Sequence, residues 1–302
     1  MATIAIIGQG NMGRTHAKAW SELGLGEQIR YVCTPRPGAS LPHAPDARFV
    51  TDLDAVLGDE EVDILSVCTP TASHADVAIR ALGAGKSVLL EKPIALAHAD
   101  ALAISEATVH SSGMLMVAQV VRFFQGYRML REGAQAGRFG TVQSVRASRL
   151  SAPPTWASWL DDSSASGGVL VDFAIHDFDQ LNLFLGTPIA VTTVTDSSSG
   201  YIETTIDYAG GGTGHVTTCA EMPPDFSFTS SLKVEGSLGA EAFRFSQAIE
   251  DAPYTSQAEY FLACVEGRVA PELCPTESAI LALDVSLAAR TSLETGRTVV
   301  IP

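Results

Sequence analysis

Three ionisable residues stand where they can support acid–base chemistry. Lys92 closely follows an apolar run at 87–90 that is typical of a buried strand, and an ammonium group at a strand's carboxyl end can stabilise developing negative charge. Asp172 and His176 are four residues apart within a helical pattern at 169–185, so one helix face presents both. A histidine there can exchange protons near neutral pH. On the residues alone, a structural Asp–His pair on a helix surface is the favoured interpretation.

A glycine-rich segment near the amino terminus is the second chemical signal. Gly8-Gln9-Gly10-Asn11-Met12-Gly13 has the spacing G-x-G-x-x-G and lies between an apolar run and a helical pattern. In such a segment the first glycine makes a tight turn, the second admits a pyrophosphate, and the third lets the helix pack on the strand. Its place at the head of a βαβ series favours dinucleotide binding over an ordinary turn.

The end of the second predicted strand bears on which dinucleotide is bound. NAD enzymes place an acid here to bind the ribose hydroxyls, whereas this chain has Cys33-Thr34-Pro35-Arg36. Thr34 can donate to a phosphate oxygen, and Arg36 can pair with one through its planar guanidinium. We therefore predict NADP as the favoured cofactor and NAD as the alternative. A solvated loop arginine that contacts nothing is nearly as good an account of Arg36.

Two further strand ends are predicted to face the cofactor. Ligands of α/β sheets lie at the carboxyl ends of strands. Cys68-Thr69-Pro70 ends the apolar run at 64–68, and Glu91-Lys92-Pro93 follows the run at 87–90. Thr71 or Ser73 as an ordinary helix N-cap accounts equally well for the first of them. The residues predicted to contact the cofactor here are Cys68, Thr69, Pro70, His74, Glu91 and Lys92.

The pattern of elements predicts two domains. Residues 1–118 alternate apolar runs (3–7, 29–33, 64–68, 87–90, 115–118) with helical segments (12–23, 72–83, 97–111), as a parallel sheet requires. Residues 119–302 combine helices (125–137, 169–185, 254–267, 276–295) with alternating β-branched strands (189–195, 201–208, 214–220, 230–235, 242–245, 298–301). The second part therefore predicts an α+β domain with an antiparallel sheet of sequential strands, and 163–168 predicts a loop.

Composition excludes several classes of protein. The 302-residue chain has a net charge of -15, which makes nucleic acid and anionic membranes poor partners. The five cysteines are scattered and the histidines are not clustered, so we expect neither a disulfide framework nor a metal site. The first apolar run stops at Gly8, far short of a membrane span, and we expect no signal peptide before it. We expect a cytoplasmic protein.

The motifs together resemble the glucose–fructose oxidoreductase/inositol dehydrogenase (Gfo/Idh/MocA) family over nearly the whole chain. The resemblance rests on the glycine fingerprint, Cys68-Thr69-Pro70 with His74, Glu91-Lys92-Pro93, Arg122-Phe123, Ser166-Gly167-Gly168 before Asp172-x-x-x-His176, and Thr295-Gly296-Arg297. It implies a Rossmann domain followed by a domain with a large open-faced, mostly antiparallel sheet, whose free face often makes dimers or tetramers. It also implies that Lys92, Asp172 and His176 line the substrate pocket and are catalytic.

With the resemblance, the catalytic interpretation of Asp172 and His176 prevails over the structural one. We predict hydride transfer between NAD(P) and a small polyhydroxylated, sugar-like or cyclic polyol substrate. Reduction of an imine or a conjugated tetrapyrrole, or a non-catalytic sugar or dinucleotide sensor, are the alternatives. Substrate contacts are also expected from Arg122, and Trp156 and Trp159 are equally explained as pocket walls or as packing. Asp177 and Asp179 are expected to support the catalytic groups or to face solvent.

Overall fold

The computed structural model describes residues 2–36, 40–154, 159, 162–196, 199–245 and 252–301. The chain divides into two compact units, one formed by Met1–Val120 with Ala252–Ile280 and the other by Val121–Asp251 with Leu281–Pro302. The predicted division had a single boundary after residue 118, whereas 252–280 lies with the first unit. Helix α8, Pro253–Val265, packs against helix α1, Asn11–Glu22, and Thr255 donates to Glu22. This contact explains the discontinuous unit.

The first unit contains a six-stranded parallel sheet. Its strand order is β3-β2-β1-β4-β5-β6, the order of a doubly wound Rossmann sheet. The strands are β1 Ile4–Ile7, β2 Ile29–Cys33, β3 Arg48–Val50, β4 Ile64–Val67, β5 Ser87–Glu91 and β6 Leu115–Ala118. The helices among them are α1, α2 Leu53–Leu57, α3 His74–Gly83 and α4 His98–Val109. Strands β1 and β4 to β6 are buried along their whole length, as their apolar sequences require.

The second unit contains a seven-stranded sheet with the order β12-β11-β7-β10-β9-β8-β13. Its strands are β7 Val142–Leu150, β8 Pro188–Asp196, β9 Tyr201–Tyr208, β10 Thr213–Cys219, β11 Thr229–Gly236, β12 Gly239–Arg244 and β13 Val299–Val300. Its helices are α5 Gln125–Gln135, α6 Ser163–Ser166, α7 Ile175–Leu185 and α9 Thr276–Thr295, within which the unit boundary falls. The mostly antiparallel sheet of the prediction is confirmed.

The strand order of this sheet differs from the predicted sequential one. Strand β7 was not predicted, and it lies between β10 and β11, parallel to β10 and antiparallel to β11. One face of the sheet forms a core with the helices, in which Val145 of β7 and Val216 of β10 pack with Phe178 and Leu181 of α7. The opposite face carries hydroxyl and charged side chains, as the alternating burial along β7 shows.

Candidate active site

The glycine fingerprint forms an open cradle at the start of α1. Gly8 has φ +98°, and a Cβ there would lie 2.6 Å from the carbonyl oxygen of Cys68. A Cβ on Gly13 would lie 2.1 Å from the oxygen of Gly8, so the helix and the strand turn touch through backbone. Gly10, the N-cap, has nothing within 4 Å of its Cβ position and gives the helix no side-chain cap. Amide groups and space at a helix N-terminus fit a dinucleotide pyrophosphate.

The loop after β2 joins the fingerprint through one side chain. Gln9 donates from Nε2 to the backbone oxygen of Arg36 at 2.6 Å. Arg36 is exposed, whereas Thr34 is only 7% exposed and its backbone nitrogen donates to Val50. The exposed arginine is therefore better placed than the buried threonine to meet a phosphate group.

His74 joins the two loops that follow β4 and β5. Its ring is buried, with Nδ1 at 2.8 Å from the Pro93 oxygen and Nε2 at 3.0 Å from the Thr69 oxygen. Burial lowers the pKa of this imidazole. The described contacts of His74 are with loop backbone, so it holds together the two segments that were predicted to face the cofactor. The peptide bond between Lys92 and Pro93 is cis.

Glu91 is a buried carboxylate at the end of β5. It contacts His16 of α1, with Oε1 at 2.9 Å from Nε2, and its Oε2 accepts from the backbone nitrogen of Lys92 at 3.2 Å. Lys92 itself is half-buried. Glu91 was predicted to contact the cofactor, but its described partners are protein groups.

Asp172 lies in a π-helical turn rather than in a continuous α-helix. The turn covers Val169–Phe173 and ends with a bond from the nitrogen of Ala174 to the oxygen of Val169. The predicted helix at 169–185 is therefore wrong in its first turn, and α7 begins only at Ile175. The backbone rotates less per residue in a π turn than in an α turn. Asp172 and His176, four residues apart, therefore still lie on the same side of the helix axis. Both are half-buried.

The segment before this turn is also more regular than predicted. A short helix, α6, begins after Asp162, whose Oδ1 accepts from the backbone nitrogen of Ser164. Gly167 and Gly168 then adopt φ +82° and +77°, which a side chain would disfavour. The loop predicted at 163–168 is thus one capped helical turn followed by a glycine pair.

Two buried ion pairs hold helix α7 at the residues that follow His176. Arg149 of β7 donates to Asp177 with Nε at 2.7 Å and Nη2 at 3.0 Å. Arg122 donates to Asp179 with Nε at 2.8 Å and also through Nη2. Solvated aspartates at 177 and 179 are therefore excluded. Burial raises the pKa of Asp177, and the Arg149 guanidinium opposes this.

Arg122 was predicted to bind substrate, yet it is 1% exposed and paired with Asp179. A guanidinium with this burial and a bidentate carboxylate partner has little surface for a ligand. The structure therefore assigns Arg122 to the support of α7. Trp159 is half-buried, whereas Trp156 lies outside the described residues; the contact of either with substrate stays a prediction.

The residues that pair with Glu91, His16 and Asp177 were not predicted from the sequence. His16, Ser66 and Arg149 carry no local motif, and their partners are 75, 50 and 28 residues away in the chain. Among the described residues there is no group of three or more His, Cys, Asp or Glu side chains that could hold a metal ion.

Comparison with known proteins agrees with both units. Residues 2–119 match the model of an oxidoreductase family with an NAD-binding Rossmann fold, GFO_IDH_MocA, and residues 127–240 match the GFO/IDH/MocA C-terminal domain. The chain belongs to the Gfo/Idh/MocA family. The family resemblance predicted from the motifs is thereby confirmed, as is the fold class.

Several Gfo/Idh/MocA proteins are similar to this chain. Inositol 2-dehydrogenase of Rhizobium meliloti (strain 1021) is 32% identical over 190 residues, which cover 62% of this chain and 56% of that protein. scyllo-Inositol 2-dehydrogenase (NAD(+)) of Bacillus subtilis (strain 168) is 29% identical over 190 residues, 61% of this chain and 54% of that protein. The chain thus matches about half the length of these curated relatives.

A solved structure of the family extends the likeness to the full chain. It is described as a putative myo-inositol dehydrogenase from Sinorhizobium meliloti 1021, with a TM-score of 0.85, 26% identity and coverage of 100% of both chains. No helix within the described parts of this chain is long and apolar enough to cross a membrane.

Proposed function

We propose that this protein is an NAD(P)-dependent oxidoreductase that interconverts a hydroxyl and a carbonyl group on a neutral cyclic polyol or sugar-like substrate. The observation that carries the proposal is the Rossmann sheet itself. Its open Gly10 cradle and Lys92 lie at the carboxyl ends of β1 and β5 of one sheet. The inositol dehydrogenases among its relatives favour a cyclic polyol.

The first unit is proposed to bind the dinucleotide and the second to bind the substrate. The residues proposed to hold the dinucleotide are the fingerprint glycines, Gln9 and the strand-end loops at 34–36, 68–70 and 91–92. When bound, the nicotinamide ring accepts or donates the hydride. The amides of the first turn of α1 bind the pyrophosphate, because a helix N-terminus carries partial positive charge.

The protein's own groups then handle the proton. We assign an imidazole nitrogen of His176 as acceptor of the hydroxyl proton during oxidation, since a histidine titrates near the working pH. The Lys92 ammonium stabilises the developing alkoxide. Asp172 orients His176 and binds a neighbouring hydroxyl. A carboxylate beside the reacting carbon disfavours anionic substrates.

The preference for NADP over NAD remains part of the proposal. Arg36 is exposed and linked through Gln9 to the fingerprint, and no carboxylate follows β2 within its loop at 34–36. An exposed guanidinium there fits a 2′-phosphate, whereas an acid would repel it.

A homodimer or homotetramer formed through the open face of the second sheet is also proposed. That face is half-exposed and carries ordered polar pairs, such as Ser148 with Ser231 at 2.8 Å and Thr217 with Glu203 at 2.9 Å. Light scattering with size-exclusion chromatography tests it, and a monomer across the working concentration range would contradict it. A reducing, cytoplasmic location is proposed on the five buried thiols.

A substrate panel tests the main proposal. Purified protein is incubated with oxidised NADP or NAD and with inositols, glucose, xylose, simple aliphatic alcohols and 2-hydroxy acids, and reduced nicotinamide is followed by absorbance. We expect the highest kcat/KM for a polyhydroxylated ring. A higher value for an aliphatic alcohol or an acid would contradict the polyol assignment and leave hydride transfer in place.

A further inference from the structure

A buried chain of polar groups in the first unit ends at Lys92. The indole nitrogen of Trp20 donates to Ser66 Oγ at 3.3 Å, and Ser66 Oγ lies 2.8 Å from His16 Nδ1. His16 Nε2 lies 2.9 Å from Glu91 Oε1, and the other oxygen of Glu91 accepts from the backbone nitrogen of Lys92. His16 is 2% exposed and Glu91 6% exposed, so water has little access to the pair.

The chain joins three elements. His16 lies on α1, the helix that begins at the glycine fingerprint, whereas Ser66 lies on β4 and Glu91 ends β5. Glu91 accepts a hydrogen bond from the backbone nitrogen of Lys92, the residue whose side chain is proposed to be catalytic. The position of Lys92 at the sheet edge is thereby tied to the helix whose N-terminus is open for a pyrophosphate.

Packing alone is a poor account of this arrangement. A buried ion pair costs desolvation energy, and apolar residues of similar size often stabilise a protein as well or better. The pair is nevertheless hydrogen-bonded at both ends, by Ser66 at His16 and by the Lys92 backbone amide at Glu91. Burial by itself lowers the pKa of His16, but electrostatic interactions and hydrogen bonds with Cys68 and Glu91 raise it to about 10. A hydrogen-bonded polar pair at this depth specifies a geometry, and the group next to it whose position it fixes is Lys92.

We propose that Glu91 and His16 are positioning residues for Lys92, acting through the Lys92 backbone amide. The inference rests on the proposed catalytic role of Lys92. If a correctly placed ammonium group is needed mainly in the transition state, misplacing it lowers kcat and leaves substrate and dinucleotide binding largely unchanged.

Because the chain has few lysines, the environment of the Lys92 side chain can be followed directly by nuclear magnetic resonance. The chain has four lysines, Lys18, Lys86, Lys92 and Lys233. Reductive methylation of the full-length protein with ¹³C-formaldehyde labels them, and Lys92→Arg identifies the Lys92 resonance by its loss. The resonance is compared in wild type, Glu91→Gln and His16→Gln, together with kcat, KM and the Kd for reduced dinucleotide from nicotinamide fluorescence. Asp59→Asn, which alters the Arg30–Asp59 pair of the same unit, is the matched control.

For Glu91→Gln and His16→Gln we expect kcat to fall about 10- to 100-fold. The Lys92 resonance should shift or broaden while those of the other three lysines stay, with KM and Kd within about threefold. Asp59→Asn should change none of these. Thermal unfolding of each variant shows whether it is folded, and a variant that unfolds at the assay temperature is replaced by Glu91→Asp or His16→Asn.

Two outcomes would overturn the inference. One is a kcat within twofold of wild type in both variants, and the other is a loss of kcat with an unchanged Lys92 resonance. If wild type turns over no polyol while the variants still move the Lys92 resonance, the proposed function fails and the positioning of Lys92 by Glu91 and His16 stands.

Discussion

Arg149 donates two hydrogen bonds to Asp177, the residue next to His176, and its guanidinium also lies over two neighbouring aromatic rings. The bonds measure 2.7 and 3.0 Å, and the guanidinium carbon lies 5.6 Å from the ring centre of Phe173 and 5.7 Å from that of Phe228. The pair links strand β7 to helix α7 at the point where the proposed base extends. Lys92 has a comparable neighbour in Glu91, so Lys92 and His176 are each adjacent in sequence to a buried, paired carboxylate.

Breaking the Arg149–Asp177 pair should destabilise the second unit strongly. Asp177→Asn leaves a buried guanidinium without its counter-charge, for which we expect a loss of about 3–5 kcal/mol in the free energy of unfolding. Urea unfolding followed by circular dichroism measures it. Glu132→Gln, which alters the exposed Arg128–Glu132 pair, is the control and should cost less than about 1 kcal/mol. Equal effects of the two variants would contradict this account of α7.

The stability of the protein should fall as the pH rises above neutrality, and His16 should account for part of the fall. The pKa of His16 is about 10 in the folded protein against an ordinary value of 6.5. Between these values the folded state holds a proton that the unfolded state has lost, so its stabilisation is complete below pH 6.5 and lost as the pH rises toward 10.

Urea unfolding at several pH values, in wild type and in His16→Gln, measures the contribution of His16 together with its coupling to Cys68. The decline per pH unit in this window should be shallower in His16→Gln, by up to about 1.4 kcal/mol. Parallel curves would show that His16 is not protonated in the folded state.

Arg36→Ala should weaken the use of NADP selectively. Loss of an exposed guanidinium that pairs with a phosphate should raise the KM for NADP about tenfold and leave that for NAD unchanged. Arg48→Ala, at the opposite, amino-terminal end of strand β3, is the control. Equal use of both cofactors by wild type, or indifference to Arg36→Ala, would contradict the NADP preference.

Lys92→Ala should lower turnover by a factor on the order of 10²–10³, because a positioned stabiliser of the alkoxide is lost. Its Kd for reduced dinucleotide should stay near that of wild type. Lys18→Ala, on the exposed side of α1, is the control for loss of a lysine. Near-wild-type turnover of Lys92→Ala would make Lys92 structural.

His176→Ala should lower turnover by a factor on the order of 10²–10⁴ and remove the acidic limb of the pH profile for oxidation. The exposed histidine His110 supplies the control, His110→Ala. If the acidic limb persists in His176→Ala, the proton acceptor is another group and Lys92 becomes the first candidate.

The elements that could be predicted from the sequence are those marked by signals within a few residues of one another. The fingerprint, the buried strands and helices α5 and α9 have apolar periodicity, glycine turns or good helix formers, and these signals are local. Strand β7 escaped prediction because its inward positions include Arg149, a charged residue where an apolar one is expected. Strand β3 was also not predicted, because it is only three residues long and begins with an arginine, which is too short for an alternating pattern to be recognised.

The candidate site was predictable only where a motif marks it. Lys92, Asp172 and His176 belong to a recognisable pattern, whereas their supports are paired across the fold. Nothing in the sequence around His16 indicates a carboxylate 75 residues away. The two glycines before Asp172 mark an unusual backbone, but whether a π turn follows them depends on packing that periodicity does not encode.

Transfer of deuterium from substrate to cofactor tests the central claim most directly. Wild-type protein is incubated with oxidised dinucleotide and myo-inositol deuterated at its ring carbons, and the reduced dinucleotide is examined by mass spectrometry, with Lys92→Ala and His176→Ala alongside. We predict that wild type forms reduced dinucleotide carrying one deuterium, and that both variants form it far more slowly. Absence of deuterated dinucleotide from myo-inositol and from every other deuterated polyol or sugar tested would contradict the proposed oxidoreductase.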